Sequence, residues 1–434
     1  MESKPIGPAA IIEKKKKHLI PCSYHFYRNA PQMVRGEGMY LYDSEGRRYM
    51  DLYSGVSVNA LGHCHPEVTD AICQQVKTLQ HTTTIYLTEP IVNLAEALAE
   101  VLPGELSRSF FCASGSEANE GAALLATLAT GRNEFIAFQN GLHGRTKLTM
   151  SLTGLSFWRT DPHPVGGVNF VPPPHCKACP FGKTFGACNY ECVDAVEKTI
   201  QTSTSGKPAA MFVEPIQGNG GIVAPPPEYF TRLQAVLKKY GTLLIADEVQ
   251  TGLGRTGRMY CMEHWNVVPD IVTGGKALGG ATPIGYFATT DAIAASFTRP
   301  SASTFGGNPV TAVAGLTVLK IIQRDQLVER SAELGAFLRE QLTAQCMNYE
   351  NVIEVRGKGL MVGVELAGTR HGKSAAELAD TLLESMKDAG FLLGKTGPGR
   401  NVITFMPPLI VSRNFLEDAI QAFKINLEAV ARNV

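Results

Sequence analysis

Short apolar runs bounded by glycine or charge alternate with stretches of helical periodicity through the middle of the chain. The runs at 109–112, 135–138, 168–171, 210–214, 243–247, 271–273 and 284–289 read as strands. They lack polar alternation, so both faces are expected to be covered, and the strand–helix rhythm from Glu89 onward predicts a mostly parallel seven-stranded sheet in an α/β fold. Before it, residues 1–36 are too polar to form a core alone, and 39–52 alternate around an Asp-Ser-Glu-Gly turn, predicting a hairpin. After it come a helix at 309–323, heptads at 327–345, strands at 353–355 and 360–366, and helices at 374–388 and 415–431. The expected division is an arm and small-domain segment (1–60), a large α/β domain (61–325) and a C-terminal α+β domain (326–434).

Composition narrows the function classes. With 44% apolar and 18% charged residues over 434 positions, disordered and fibrous chains drop out. Forty basic residues balance forty acidic ones, so no global field draws nucleic acid or membrane, and small molecules or another protein are the expected partners. No signal-peptide core follows Lys14–Lys17 and no apolar run approaches membrane-spanning length, which predicts a cytoplasmic location. The ten cysteines are too few for a disulfide scaffold.

The chemistry gathers at the ends of two strands. Asp247 closes the run LLIAD, and carboxyl ends of strands are where open α/β sheets place ligands. A buried carboxylate there needs a cationic partner, which a protonated heterocyclic nitrogen would supply. Lys276 follows a strand and a Gly-Gly pair that lets backbone approach a ligand, and such an amine can form a Schiff base. A lysine for an aldehyde and an acid for a ring nitrogen are the two protein parts pyridoxal phosphate needs. Plainer readings exist: a helix cap or magnesium ligand for Asp247-Glu248, a turn for Gly-Gly-Lys. GLGRTG at Gly252–Gly257 fits the dinucleotide pattern, but EVQT separates it from the strand, no apolar helix follows, and position 277 is alanine. Lys276 also lacks the Walker surroundings.

Between the first two strands, ASGSEANEG leads straight into an Ala/Leu helix whose free first amides at Gly115 and Ser116 suit a phosphate, while Ser116 and Asn119 could equally be plain caps. His63 and His65 are expected to cap the helix after Pro66. Cys176, Cys179, Cys188 and Cys192 form CKACPFGKTFGACNYEC, whose spacing suits tetrahedral zinc or a packed loop with one labile disulfide.

SGSEANE, LHGRT, EPIQGNGG, LIADEVQTGLGRTGR, GGKALGG, STFGGNP and VRGKGLMVGVEL resemble, in order and spacing, the class III aminotransferases of the fold type I pyridoxal phosphate enzymes, from about Tyr40 to the C-terminus. The resemblance implies that Lys276 is the Schiff-base lysine, Asp247 the pyridine-nitrogen partner, Val249 the residue under the ring and Gln250 the donor to the ring hydroxyl. It implies phosphate contacts from Gly115, Ser116 and a partner subunit's equivalent of Thr304, hence a homodimer (a tetramer of such pairs included) with its site at the boundary.

Two departures bear on substrate. Leu142 stands where most relatives stack an aromatic ring on the cofactor, and Thr404 stands where relatives acting on α-amino acids often carry an arginine. Arg400 in the GPGRN turn could substitute, and Arg145, with Glu214 as its counter-ion, could face the substrate, as could Tyr53. The expected function is transfer of an amino group from an ω-amino acid or other non-α amine to pyruvate or glyoxylate by ping-pong kinetics. A phospho-lyase or racemase on the same cofactor is the second expectation, a 2-oxoglutarate-dependent 4-aminobutyrate or ornithine type enzyme the third, and a metal-bound interaction protein the remaining class.

Overall fold

The structure is a computed structural model that describes residues 4–368 and 372–432. The central sheet contains β4 (Arg108–Cys112), β5 (Phe135–Phe138), β6 (Val168–Val171), β7 (Ala210–Val213), β8 (Leu243–Asp247), β9 (Ile271–Gly274) and β10 (Gly285–Thr289), in the order β4-β10-β9-β8-β7-β5-β6. Every residue of β5, β7, β9 and β10 is buried, which is why these runs carry no polar alternation. Only β10 runs antiparallel to both its neighbours. A parallel return needs a crossover of a dozen or more residues. Residues 275–284, which connect β9 to β10, are too few, and they carry Lys276 in a tight turn.

The chain leaves β5 toward one edge of the sheet and β7 toward the other, although the two strands are hydrogen-bonded neighbours. This switch point opens the crevice that α/β sheets use for ligands. The loops after β5, β7 and β8 meet there.

Two four-stranded sheets flank this core. In one, β1 (Met33–Glu37), β2 (Tyr40–Asp43) and β3 (Arg48–Asp51) are extended by β13 (Phe391–Leu392), parallel to β3. The β2–β3 turn is held by Asp43, whose Oδ1 accepts the amides of Glu45 and Arg47, each at 2.9 Å. In the other, β11 (Val352–Lys358), β12 (Met361–Leu366), β15 (Val402–Phe405) and β14 (Gly394–Thr396) pair antiparallel. Sequence periodicity did not announce β1, β13, β14 or β15, since β13 and β14 are two and three residues long.

Two capping expectations are corrected. Ser114, not Ser116 or Asn119, caps the helix Gly115–Thr130, accepting the Glu117 amide at 3.2 Å, which frees both residues for the site. His65 occupies the N-cap position of the helix Pro66–Thr78 without a side-chain bond, and His63 instead directs Nε2 to Asp51 Oδ2 at 2.9 Å. The proline already supplies a helical first residue with no amide to satisfy.

Candidate active site

Asp247 ends β8 with 5% exposure, and its carboxylate is held from three directions. Asn119 Nδ2 donates to Oδ2 at 2.8 Å, His143 Nδ1 lies 2.8 Å from the same oxygen, and the Val249 amide donates to Oδ1 at 3.2 Å. Asn119 is itself fixed by Thr273, which donates to its Oδ1 at 2.7 Å, and by its own bond to the His143 carbonyl at 2.7 Å. So the helix after β4 and the turn after β5 converge on the acid at the end of β8. Neither Asn119 nor His143 had been singled out from sequence for this; the signal was a polar residue among small and apolar neighbours in SEANE and GLHG.

Burial alone would pull His143 down, but its hydrogen bond to Asp247, with the charges of Asp247 and Glu214, raises it on balance. Its Nε2 is buried and without a partner. Glu214, just beyond β7, accepts the Leu142 amide at 2.8 Å and the Gly218 amide at 3.0 Å, and burial raises its carboxyl to about 7 against those amides and His143. The expected Arg145–Glu214 pair is not formed. Arg145 is exposed, has no ion pair among the described residues, and reaches the site only through its amide, which donates to Ser116 Oγ at 3.0 Å.

Lys276 opens a short turn with φ of 39°, an uncommon region for a residue with a Cβ. Burial lowers its ammonium pKa, while Asp247 and Glu214 act to raise it, so amine, acid and second acid share one field. Glycine permits the close approach: a Cβ on Gly274 would stand 2.3 Å from the Tyr286 ring, and one on Gly285 2.2 Å from the Ser114 carbonyl. Val249 packs against the helix start, where a Cβ on Gly115 would lie 2.8 Å from it. The amides of Gly115 and Ser116 have no acceptor within their helix. Gln250 lies beside Gly218 and directs Nε2 to Met406 Sδ at 3.5 Å.

An aromatic rim borders this group. Tyr53 lies against Gly394, where a Cβ would meet its ring at 2.0 Å, and the Phe26 ring lies tilted to it with centroids 5.9 Å apart. Tyr24 contacts Phe157 at 6.3 Å and Trp158 at 6.1 Å, and the Arg400 guanidinium lies 4.7 Å over the Phe157 ring. Apart from Tyr53 and Arg400 these residues escaped sequence reasoning, because they come from separate segments with no shared period. Thr404 is buried in β15 with its hydroxyl unpartnered, and Thr304 is exposed.

The GLGRTG segment is a rivet, not a nucleotide loop. Arg255 is buried within it and donates to the carbonyls of Leu360, at 3.0 Å, and Pro407, at 2.5 Å, joining β8's loop to the C-terminal sheet. The four cysteines of 176–192 are free thiols lining a separate small pocket.

A fixed carboxylate, a lysine of lowered basicity and unused helix-start amides fit pyridoxal phosphate. The family model described as aminotransferase class-III matches residues 26–427. The chain belongs to the class-III aminotransferases. It is therefore a pyridoxal phosphate-dependent transaminase of fold type I. This class-III chain is 40% identical over 426 residues to the mitochondrial alanine–glyoxylate aminotransferase 2 homolog 2 of Arabidopsis thaliana, covering 97% of the chain and 88% of that relative. It is also 40% identical to the acetylornithine aminotransferase of Mycolicibacterium smegmatis, over 92% of the chain and 94% of the relative. Among solved structures, a Bacillus anthracis aminotransferase superposes with a TM-score of 0.90 at 31% identity, over 97% of this chain and 98% of that one. An Arthrobacter phospholyase in complex with phosphoethanolamine superposes with 0.88 at 30%, over 96% and 99%. No helix among the described residues is long and apolar enough to cross a membrane.

Proposed function

We propose that this class-III aminotransferase moves an amino group from an ω-amino acid or other non-α amine to pyruvate or glyoxylate, acting as a homodimer. One observation carries the substrate reading: position 404, where an α-carboxylate clamp would stand, is a buried threonine, while Arg400 lies on an aromatic face with no ion pair among the described residues. A carboxylate at the far end of a donor, or on a small keto acid, then meets a cation that can be engaged or left aside. The exposed Thr304 beside Phe305, itself 62% exposed, supports the pairing of subunits. The ten unpaired thiols support a cytoplasmic location.

Bound here, pyridoxal phosphate supplies an electron sink for negative charge at the donor carbon. Asp247, backed by His143 and Asn119, keeps a positive charge on the ring nitrogen. Lys276 would hold the aldehyde and, once displaced by the donor amine, would take the proton from the donor carbon and hand it to the former aldehyde carbon, a task suited to an amine of lowered basicity. Gly115 and Ser116 would present amides to the phosphate, Val249 and Leu142 would hold the ring, Gln250 would donate to its hydroxyl, and Thr304 would serve the neighbouring subunit. Tyr53, Glu214 and Arg400 would line the substrate's side, and the exposed Arg145 would have to swing in to join them.

A phospho-lyase is the second reading, favoured by the phosphoethanolamine-bound structural neighbour. A panel of amines and ω-amino acids added to the yellow protein without a keto acid separates the two. Stoichiometric bleaching of the aldehyde absorption is expected. Retention of the band with every donor, together with phosphate release from phosphoethanolamine, would favour the lyase.

A further inference from the structure

The segment between β6 and the helix Glu191–Ser203 contains neither strand nor helix over residues 172–190, yet it holds three of the chain's ten cysteines, and a fourth, Cys192, follows in the first turn of that helix. Its backbone closes turns from His175, Gly182 and Ala187, at 2.8, 3.0 and 3.0 Å, and no ladder joins it to a sheet. A long segment without regular structure inside a compact chain calls for another source of order. Cys176, Cys179, Cys188 and Cys192 all line one pocket, with Pro174, Phe181 and Tyr190. They come as CxxC and CxxxC pairs separated by eight residues.

We propose that these four thiols bind a structural zinc ion, drawn from two pairs of cysteines facing one pocket outside the catalytic centre. Zinc is suited by chemistry: four soft thiolates in a tetrahedral set form a closed site with no position for substrate. Binding displaces four thiol protons to solvent, and two negative charges remain on the metal–sulfur unit. Lys177 and Lys183 lie within the loop, and Cys192 sits in the first turn of the helix Glu191–Ser203, whose positive end favours a thiolate.

A neighbouring set is excluded by its occupant. His175, Glu354 and Glu365 bring ligand atoms within 4.8 Å of one another, but the Arg356 guanidinium donates to both carboxylates and fills the cation's place. No three of the four cysteine sulfurs lie within 4.8 Å of one another, so metal uptake must draw the loop inward, which a segment free of ladder bonds allows.

The test is zinc content of the full chain, purified without chelator under reducing conditions and again after incubation with zinc chloride and desalting. Elemental analysis should give about one zinc per chain, released by a mercurial reagent. The C176S/C192S variant should lose it while keeping pyridoxal absorption. Less than a tenth of an equivalent in the reconstituted wild type overturns the proposal, as does full zinc retention by the double variant. A thiol titration under denaturing, non-reducing conditions giving eight thiols instead of ten would also overturn it, because it would mean a disulfide in place of metal.

Discussion

His143 directs Nδ1 to Asp247 Oδ2 at 2.8 Å from a position only 2% exposed, while Nε2 has no partner. The imidazole therefore serves the acid and little else. Hydrogen bonds to charged groups contribute about 1.5–3 kcal/mol, so His143→Leu should lower kcat roughly 10- to 100-fold with little change in KM. His143→Gln, which can still donate, should recover part of the loss. A raised KM at constant kcat in the leucine variant would refute this role.

Glu248 makes a pH prediction separate from the chemistry. It is buried, accepts the Met262 amide at 2.9 Å and the Thr251 hydroxyl, and burial raises its carboxyl to about 7 from 4.5. A folded-state value above the unfolded one means that its contribution is fully present below pH 4.5 and is lost as pH rises through 7. Glu248→Gln imitates the protonated acid. Its stability relative to wild type should therefore climb from pH 5 to pH 8, by up to about 3 kcal/mol. Paired urea melts across that range would read it, and a pH-independent difference would contradict it.

Arg400 and Arg145 make separable claims on the substrate. Arg400→Ala should raise KM for keto acids and ω-amino acids roughly 10- to 100-fold while leaving plain amines nearly unchanged, the cost of one charge-assisted contact. Arg145→Ala with the same signature, and Arg400→Ala without it, would transfer the role.

In the proposed function Leu142 stands where an aromatic ring would otherwise stack on the cofactor. Leu142→Phe should tighten cofactor retention by about 1 kcal/mol, or roughly fivefold. Equilibrium dialysis of pyridoxal phosphate measures it, and unchanged or weaker retention would show that the leucine is not over the ring.

The sheet was legible because burial on both faces leaves uninterrupted apolar runs: FIAF, AMFV and LLIAD became β5, β7 and β8 at the places expected. Asp247 and Lys276 stood out because charge at the end of such a run, or among glycines, breaks the local pattern. What stayed hidden depends on distant parts of the chain. Phe391–Leu392 becomes a strand only beside Met50–Asp51. The Tyr24, Phe157 and Trp158 contacts join an N-terminal arm to a turn far along the chain. His143 was inside a quoted motif, yet its role depends on where β8 ends, which no local window contains.

The late strand β13 completes the early sheet: the Met50 and Leu52 amides donate to the carbonyls of Gly390 and Leu392, and Gly394 backs Tyr53. During synthesis, the first fifty-odd residues must therefore wait, edge unsatisfied, until residue 394 has cleared the ribosome tunnel. A nascent chain stalled before that point would carry the lysine and the acid but lack the Tyr53 wall, and its open strand would be exposed to chaperones or to a neighbouring nascent chain.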